Sequence, residues 1–214
     1  MRNRSTSLKN FNSARLLPFS LMLLLLGACS GMPGKPVSAP TAAVPAPPSG
    51  AQAQFDNALE LMQQKHYPEA ETVLQAMTQA YPGLSGPYLN LGIVYLRTER
   101  TDEAAQAVRK ALDINPSNAQ AYNLLGLIHR EAGSFAEARQ DYEQALKLAP
   151  LFADVHLNFA ILLDLYLGQP QPALEHYERY QQLAGTEDKE VARWIADLKQ
   201  RLPASAPAAA GGGS

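Results

Sequence analysis

The 214-residue sequence predicts an all-α fold, a solenoid of antiparallel helix pairs with a helix closing its carboxy-terminal end. Three observations predict it. Pro82, Pro116 and Pro150 recur at a constant spacing of 34 residues. Upstream of each proline the same order of small and large apolar residues returns. Beyond the last copy, one further segment carries a single apolar stripe at helical spacing. A chain that repeats at so short a period builds its core between neighbouring units, not around one centre.

The two clearest copies read Tyr88-x-x-Leu91-Gly92-x-x-Tyr95, Ala104-x-x-x-Val108, Ala111 and Pro116, then Tyr122-x-x-Leu125-Gly126-x-x-His129, Ala138-x-x-x-Tyr142, Ala145 and Pro150. Glycine in mid-helix costs about 1 kcal/mol relative to alanine. Gly92 and Gly126 therefore imply a close helix contact that offsets the penalty, with Ala104 and Ala138 expected to face them from the second helix. Tyr88, Leu91 and Tyr95 fill the space between units. Each proline ends the second helix, because it lacks an amide hydrogen and disfavours the helical region for the residue before it. The pattern resembles the tetratricopeptide repeat, whose W-x-x-L-G-x-x-Y…A-x-x-x-F…P signature has the same period. The resemblance implies two antiparallel helices per unit and four units over residues 53–184.

The chain begins with an address. Arg2, Arg4, Lys9 and Arg15 precede the apolar run from Leu16 to Leu26, which is too short for a membrane-spanning helix of about 20 residues. Leu26-Gly27-Ala28-Cys29 follows and resembles the lipobox of bacterial lipoproteins. That resemblance implies that residues 1–28 are a signal peptide, that cleavage occurs before Cys29, and that Cys29 carries lipid, with palmitate among its acyl groups. Cys29 is the only cysteine, so no internal disulfide can form and the fold must rest on helix packing. Multiple acyl chains on one residue give stable membrane attachment. By the same resemblance, Ser30 after the cysteine favours the outer membrane, with the repeats facing the periplasm. Residues 29–52, rich in Pro, Ala, Ser and Gly, read as an extended tether.

The first repeat keeps its small residues in Asn57-Ala58-x-x-Leu61 and Ala70-x-x-x-Leu74 but loses the leading aromatic and the Leu-Gly pair. The fourth, His156-x-x-Phe159-Ala160-x-x-Leu163, Ala173-x-x-x-Tyr177, carries one extra residue near Tyr166. Terminal repeats are atypical because one side lacks a neighbour. Residues 185–203 predict the closing helix, capped by Thr186, with Val191, Trp194, Ile195, Leu198 and Leu202 as its apolar stripe. An alternative leaves Trp194 exposed as a partner anchor. Residues 204–214 read as a disordered tail.

Function classes narrow from here. The whole chain has a net charge of −2; without residues 1–28, which hold four basic and no acidic residues, it is −6. No basic patch suits nucleic acid. The four histidines, His66, His129, His156 and His176, lie on different predicted helices without metal-ligand spacing, and His129 reads as a packing residue in the place of Tyr95. No glycine-rich phosphate loop occurs, so no cofactor or metal is expected, and no enzyme. The one catalytic alternative groups His129, Arg130 and Asp164.

The first helices carry a second row of side chains: Phe55, Leu59 and Met62; Leu89, Ile93 and Leu96; Asn123, Leu127 and Arg130; Leu157, Ile161 and Asp164. In proteins with this repeat, that row lines a concave groove. Here it is apolar with a polar stripe at Asn123 and Arg130, which points to an apolar or amphipathic protein segment as partner. Resemblance to lipoproteins with such repeats implies three roles: a pilotin-like part in assembling a type IV pilus secretin, an adaptor for peptidoglycan enzymes, or an accessory to a proton-driven transport or motility complex. Competing readings make the row plain inter-repeat core, or cover it by the chain itself or by a second copy in a homo-oligomer.

Overall fold

The computed structural model describes residues 50–202. The expected signal segment, Cys29 and the tail lie outside them, as does the expected tether up to residue 49; its last residues, Ala51 and Gln52, belong instead to the first helix. The described residues form nine α-helices and no strand: α1 Ala51–Gln63, α2 Tyr67–Ala80, α3 Ser85–Arg97, α4 Thr101–Ile114, α5 Ala119–Glu131, α6 Phe135–Leu148, α7 Ala153–Leu165, α8 Pro170–Leu183 and α9 Lys189–Arg201. This is the all-α tetratricopeptide-type solenoid. The first helices of the four hairpins begin at residues 51, 85, 119 and 153, so the 34-residue step is kept throughout. The second helices begin at 67, 101, 135 and 170, and the extra residue of the fourth repeat falls in the α7–α8 turn.

The helix ends follow local chemistry. Tyr81, Asn115 and Ala149, each followed by a proline, have left the helical region at φ/ψ of −134/63, −132/87 and −138/80. Where the fourth repeat has no such proline, α8 ends instead at Ala184 and Gly185, whose φ of 69° is readily reached only by glycine. Within hairpins, the tight turn needs one left-handed residue, supplied by Lys65, Glu99, Gly133 and, shifted by the insertion, Gly168.

Packing is linear. Each helix touches its sequence neighbours, and α5 also touches both α3 and α7. The first helices are thus drawn together on the inner side of the stack, which curves it and makes their outward rows the concave face. Three apolar clusters run along the stack, around Leu74 and Val94, around Val108 and Ile128, and around Tyr142, Leu162 and Tyr177. A small residue recurs on each first helix, Ala58, Gly92, Gly126 and Ala160, all buried. Sixteen residues later, or seventeen in the fourth hairpin, a large one is fully buried on the second helix: Leu74, Val108, Tyr142 and Tyr177, each 0% exposed.

The contact at the glycines differs from expectation. A Cβ on Gly92 would lie 2.5 Å from Val108 Cγ2, and one on Gly126 would lie 2.7 Å from the Tyr142 ring. The residue four positions after the alanine, not the alanine side chain, fills the space; Ala104 contributes its carbonyl oxygen, at 3.3 Å from the Gly92 position. A mid-helix glycine here makes room for a bulky neighbour.

At the carboxy-terminal end the cap is Asp188, not Thr186. Its side chain accepts hydrogen bonds from the amides of Glu190 and Val191 at 2.9 and 3.1 Å. Trp194 is turned inward, its ring 5.6 Å from that of Tyr177, which rules out an exposed anchor. Lys199 pairs with Glu178 at 2.6 Å and Arg201 with Asp164 at 3.1 Å, tying α9 to both helices of the last hairpin.

Candidate functional site: the concave face

The concave row divides by how many neighbours its helix has. On α5, flanked by both α3 and α7, Asn123 and Leu127 are buried, each 2% exposed. On α1, flanked on one side, the corresponding Phe55 and Leu59 are half-buried, as is Met62. Leu89 on α3 and Ile161 on α7 are buried, whereas Ile93, Leu96, Arg130 and Leu157 are half-buried. Part of the row is therefore inter-repeat core. The side chains that remain partly accessible are Phe55, Leu59, Met62, Ile93, Leu96, Arg130 and Leu157.

Asn123 does not offer its amide to a ligand. Its oxygen accepts from Asn158 Nδ2 at 3.0 Å, a buried bond between α5 and α7 that satisfies an otherwise costly polar group. The spacing of 35 residues, one more than the repeat, hides this pair from any alignment of the repeats with themselves. Arg130 sits one turn beyond Leu127, and its Nη1 is buried with no hydrogen-bond partner among the described residues.

Two of the three groups of the catalytic alternative are engaged by other side chains. His129 Nδ1 bonds Asp141 Oδ2 at 2.6 Å and its Nε2 lies 3.3 Å from Arg109 Nη2, a bridge across α4, α5 and α6. Asp164 is instead held by Arg201. His129 is thus a polar tie between repeats, not a simple packing residue, and burial raises the pKa of Asp141 while His129 pulls it down. The sequence holds a signal for this: columns 75, 109 and 95, 129 pair as Gln75 with Tyr95, 3.2 Å apart, and as Arg109 with His129 in the next repeat.

Two other histidines meet unexpectedly. His156 Nδ1 lies 2.8 Å from His176 Nδ1, and His156 Nε2 lies 3.0 Å from the carbonyl oxygen of Pro150. The carbonyl can only accept, so Nε2 of His156 carries the proton and His176 donates to Nδ1. Burial lowers both pKa values, that of His176 to about 4, with His156 as a second cause. Among the described residues no three of His, Cys, Asp or Glu converge as a metal site, and no helix is long and apolar enough to cross a membrane.

Comparison with known proteins agrees with the geometry. Residues 89–154 match the tetratricopeptide repeat model. Human tetratricopeptide repeat protein 8 is 36% identical over 77 residues, 36% of this chain and 14% of that protein. The peroxisomal targeting signal receptor of Eremothecium gossypii is 31% identical over 88 residues, 41% of this chain and 15% of the receptor. Anaphase-promoting complex subunit 7 of Arabidopsis thaliana is 31% identical over 128 residues, 56% of this chain and 22% of the subunit. The chain thus spans less than a quarter of each of these relatives. Among solved structures, PilF of Pseudomonas aeruginosa aligns with a TM-score of 0.64 at 25% identity, covering 71% of this chain and 69% of that one. MamA aligns with a TM-score of 0.59 at 18% identity, covering 70% and 81%. The described residues thus form a tetratricopeptide-type solenoid, the fold that these similar proteins share.

Proposed function

We propose that this chain is a non-enzymatic, lipid-anchored periplasmic adaptor that holds an apolar or amphipathic segment of a partner protein on its concave face and works in assembling an envelope complex. The partly accessible apolar side chains of the first helices, Phe55, Met62, Ile93, Leu96 and Leu157, carry this reading. Fully burying a Leu or Phe side chain contributes about 1.5–3 kcal/mol, so a few of these positions offset the cost of association. The lipobox at Leu26 to Cys29 supports attachment to the outer membrane. The similarity to PilF favours a pilotin-like role for a type IV pilus secretin over adaptors for peptidoglycan enzymes or transport and motility accessories.

Photo-crosslinking residues at Ile93 and Leu157 in the full chain, with Gln106 and Lys110 on the outer helix as controls, test the groove in membranes. One shared partner captured from the first pair and not from the second is the expected result; equal capture from both pairs overturns it. Labelled palmitate incorporated by the native chain and lost in Cys29→Ser tests the anchor, and retention of label in the variant refutes it.

A further inference from the structure

The two histidines of the fourth hairpin meet head to head. Their Nδ1 atoms lie 2.8 Å apart with the ring centroids at 5.1 Å, and His156 Nε2 lies 3.0 Å from the carbonyl oxygen of Pro150. That carbonyl fixes the tautomer of His156, so its Nδ1 is a bare acceptor and the one proton between the rings belongs to His176. While the bridge stands, His156 has no open site for a further proton. Two Nδ1–H groups aimed at each other cannot bond, so charging both rings forces them apart. His156 is 8% exposed and tied to the preceding turn, whereas His176 is half-buried, its ring 4.7 Å from that of Phe159. The ring that yields to water is therefore His176, and it lies on α8.

The surroundings do little to stabilise charge on the closed pair. Arg179 acts on His156 and opposes a second positive charge, and only Glu175 favours one on His176. The preceding turn contributes the Pro150 carbonyl, while Asp154 of α7 and Asp188 ahead of α9 act on Tyr180. Closed, the pair resists protons; open, with His176 in water, it takes one up as a free imidazole does. No other hairpin repeats the arrangement, since the same places hold Tyr122 and Asp141 in the third and Tyr88 and Ala107 in the second.

We propose that the His156–His176 pair is an acid-released latch between α7 and α8, which holds the fourth hairpin closed at neutral pH and frees it, with the closing helix packed on it, when the medium turns acid. The latch is independent of what the concave face binds.

Backbone amide exchange of the full chain near pH 7 and near pH 5, corrected for the chemical exchange rate, tests it. Exchange in α7, α8 and α9 is expected to rise roughly tenfold in acid, the factor that one unit of pKa difference supplies, while α3 and α4 hold. In His176→Leu, which keeps an apolar filling and removes the titration, the rise disappears. A rise shared equally by all hairpins, or one that persists in the variant, overturns the latch. Nitrogen NMR of the imidazoles in the unaltered chain decides the matter even if the variant loosens the hairpin. His156 as the Nε2–H tautomer, with both rings neutral at pH 6, is the expected result; titration of His176 near 6.5, as in a free imidazole, overturns it.

Discussion

The second and third hairpins have first helices of 13 residues and second helices of 14, and each lies between hairpins on both sides. Their fillings differ. Where α3 and α4 set Gly92 against Val108, α5 and α6 set Gly126 against Tyr142. Tyr95 and Ala107 in the one become His129 and Asp141 in the other, and Leu89 and Leu96 become Asn123 and Arg130. The small residues and helix-ending prolines set the frame, while the columns beside them change, Asn123 bonding Asn158 and His129 bonding Asp141. The third hairpin has been filled with polar ties without altering the frame.

The sharpest way to break that equivalence is to empty the larger filling. Tyr142→Ala leaves a cavity under Gly126 and is expected to cost about 3–5 kcal/mol. Val108→Ala, removing less, is expected to cost roughly 1.5–3 kcal/mol. Urea unfolding of the full chain measures both. Equal losses would show that the ring of Tyr142 is not the main support of its glycine.

Gly126→Ala tests the same contact from the other side. The added Cβ would stand 2.7 Å from the ring, so overpacking should destabilise by about 1–3 kcal/mol even though alanine is the better helix former. A rise in melting temperature would refute the close approach.

Converting the third hairpin toward the second gives a cycle. Asp141→Ala alone leaves Nδ1 of the largely buried His129 without its acceptor and should cost about 1–3 kcal/mol. Adding His129→Tyr restores the Tyr95 and Ala107 pair of the second hairpin and should recover most of that loss. Strict additivity of the two changes would show that the side chains do not act together.

The smallest effect comes with acid. In the position after Asp141 by one repeat and the inserted residue, the fourth hairpin has His176, kept neutral against His156 with its pKa lowered to about 4. Unfolded imidazoles take up protons near 6.5, so this contribution is whole above pH 6.5 and is lost as pH falls from there toward 4, with a shallow slope because the ring is only partly withdrawn from solvent. His176→Gln should flatten the melting temperature over that range; an unchanged slope would place the titration elsewhere.

Most of the frame was legible, because period, glycine, alanine and proline act within one or two turns of themselves. The row along the first helices was legible as a pattern, but its division into buried and accessible parts depends on having a neighbour on each side, which separates Leu127 from Leu59. Asn123 with Asn158, and His156 with His176, join residues whose spacing does not match the repeat, so no column of the sequence displays them. The Asp188 cap escaped because Thr186, Glu187 and Asp188 are all acceptable at a helix start and only the backbone chooses among them.

The two turns nearest Gly50 place Lys65 and Glu99 at a φ of 62°, where the later ones use glycine, and α1 buries only Ala51 and Ala58. A side chain in that conformation costs about 1–2 kcal/mol. The opening hairpin therefore combines a strained bend with the least embedded rod. Tension arriving along the chain ahead of Gly50 reaches it first, so under load the stack should yield there, peeling one rod at a time, while the far end stays closed.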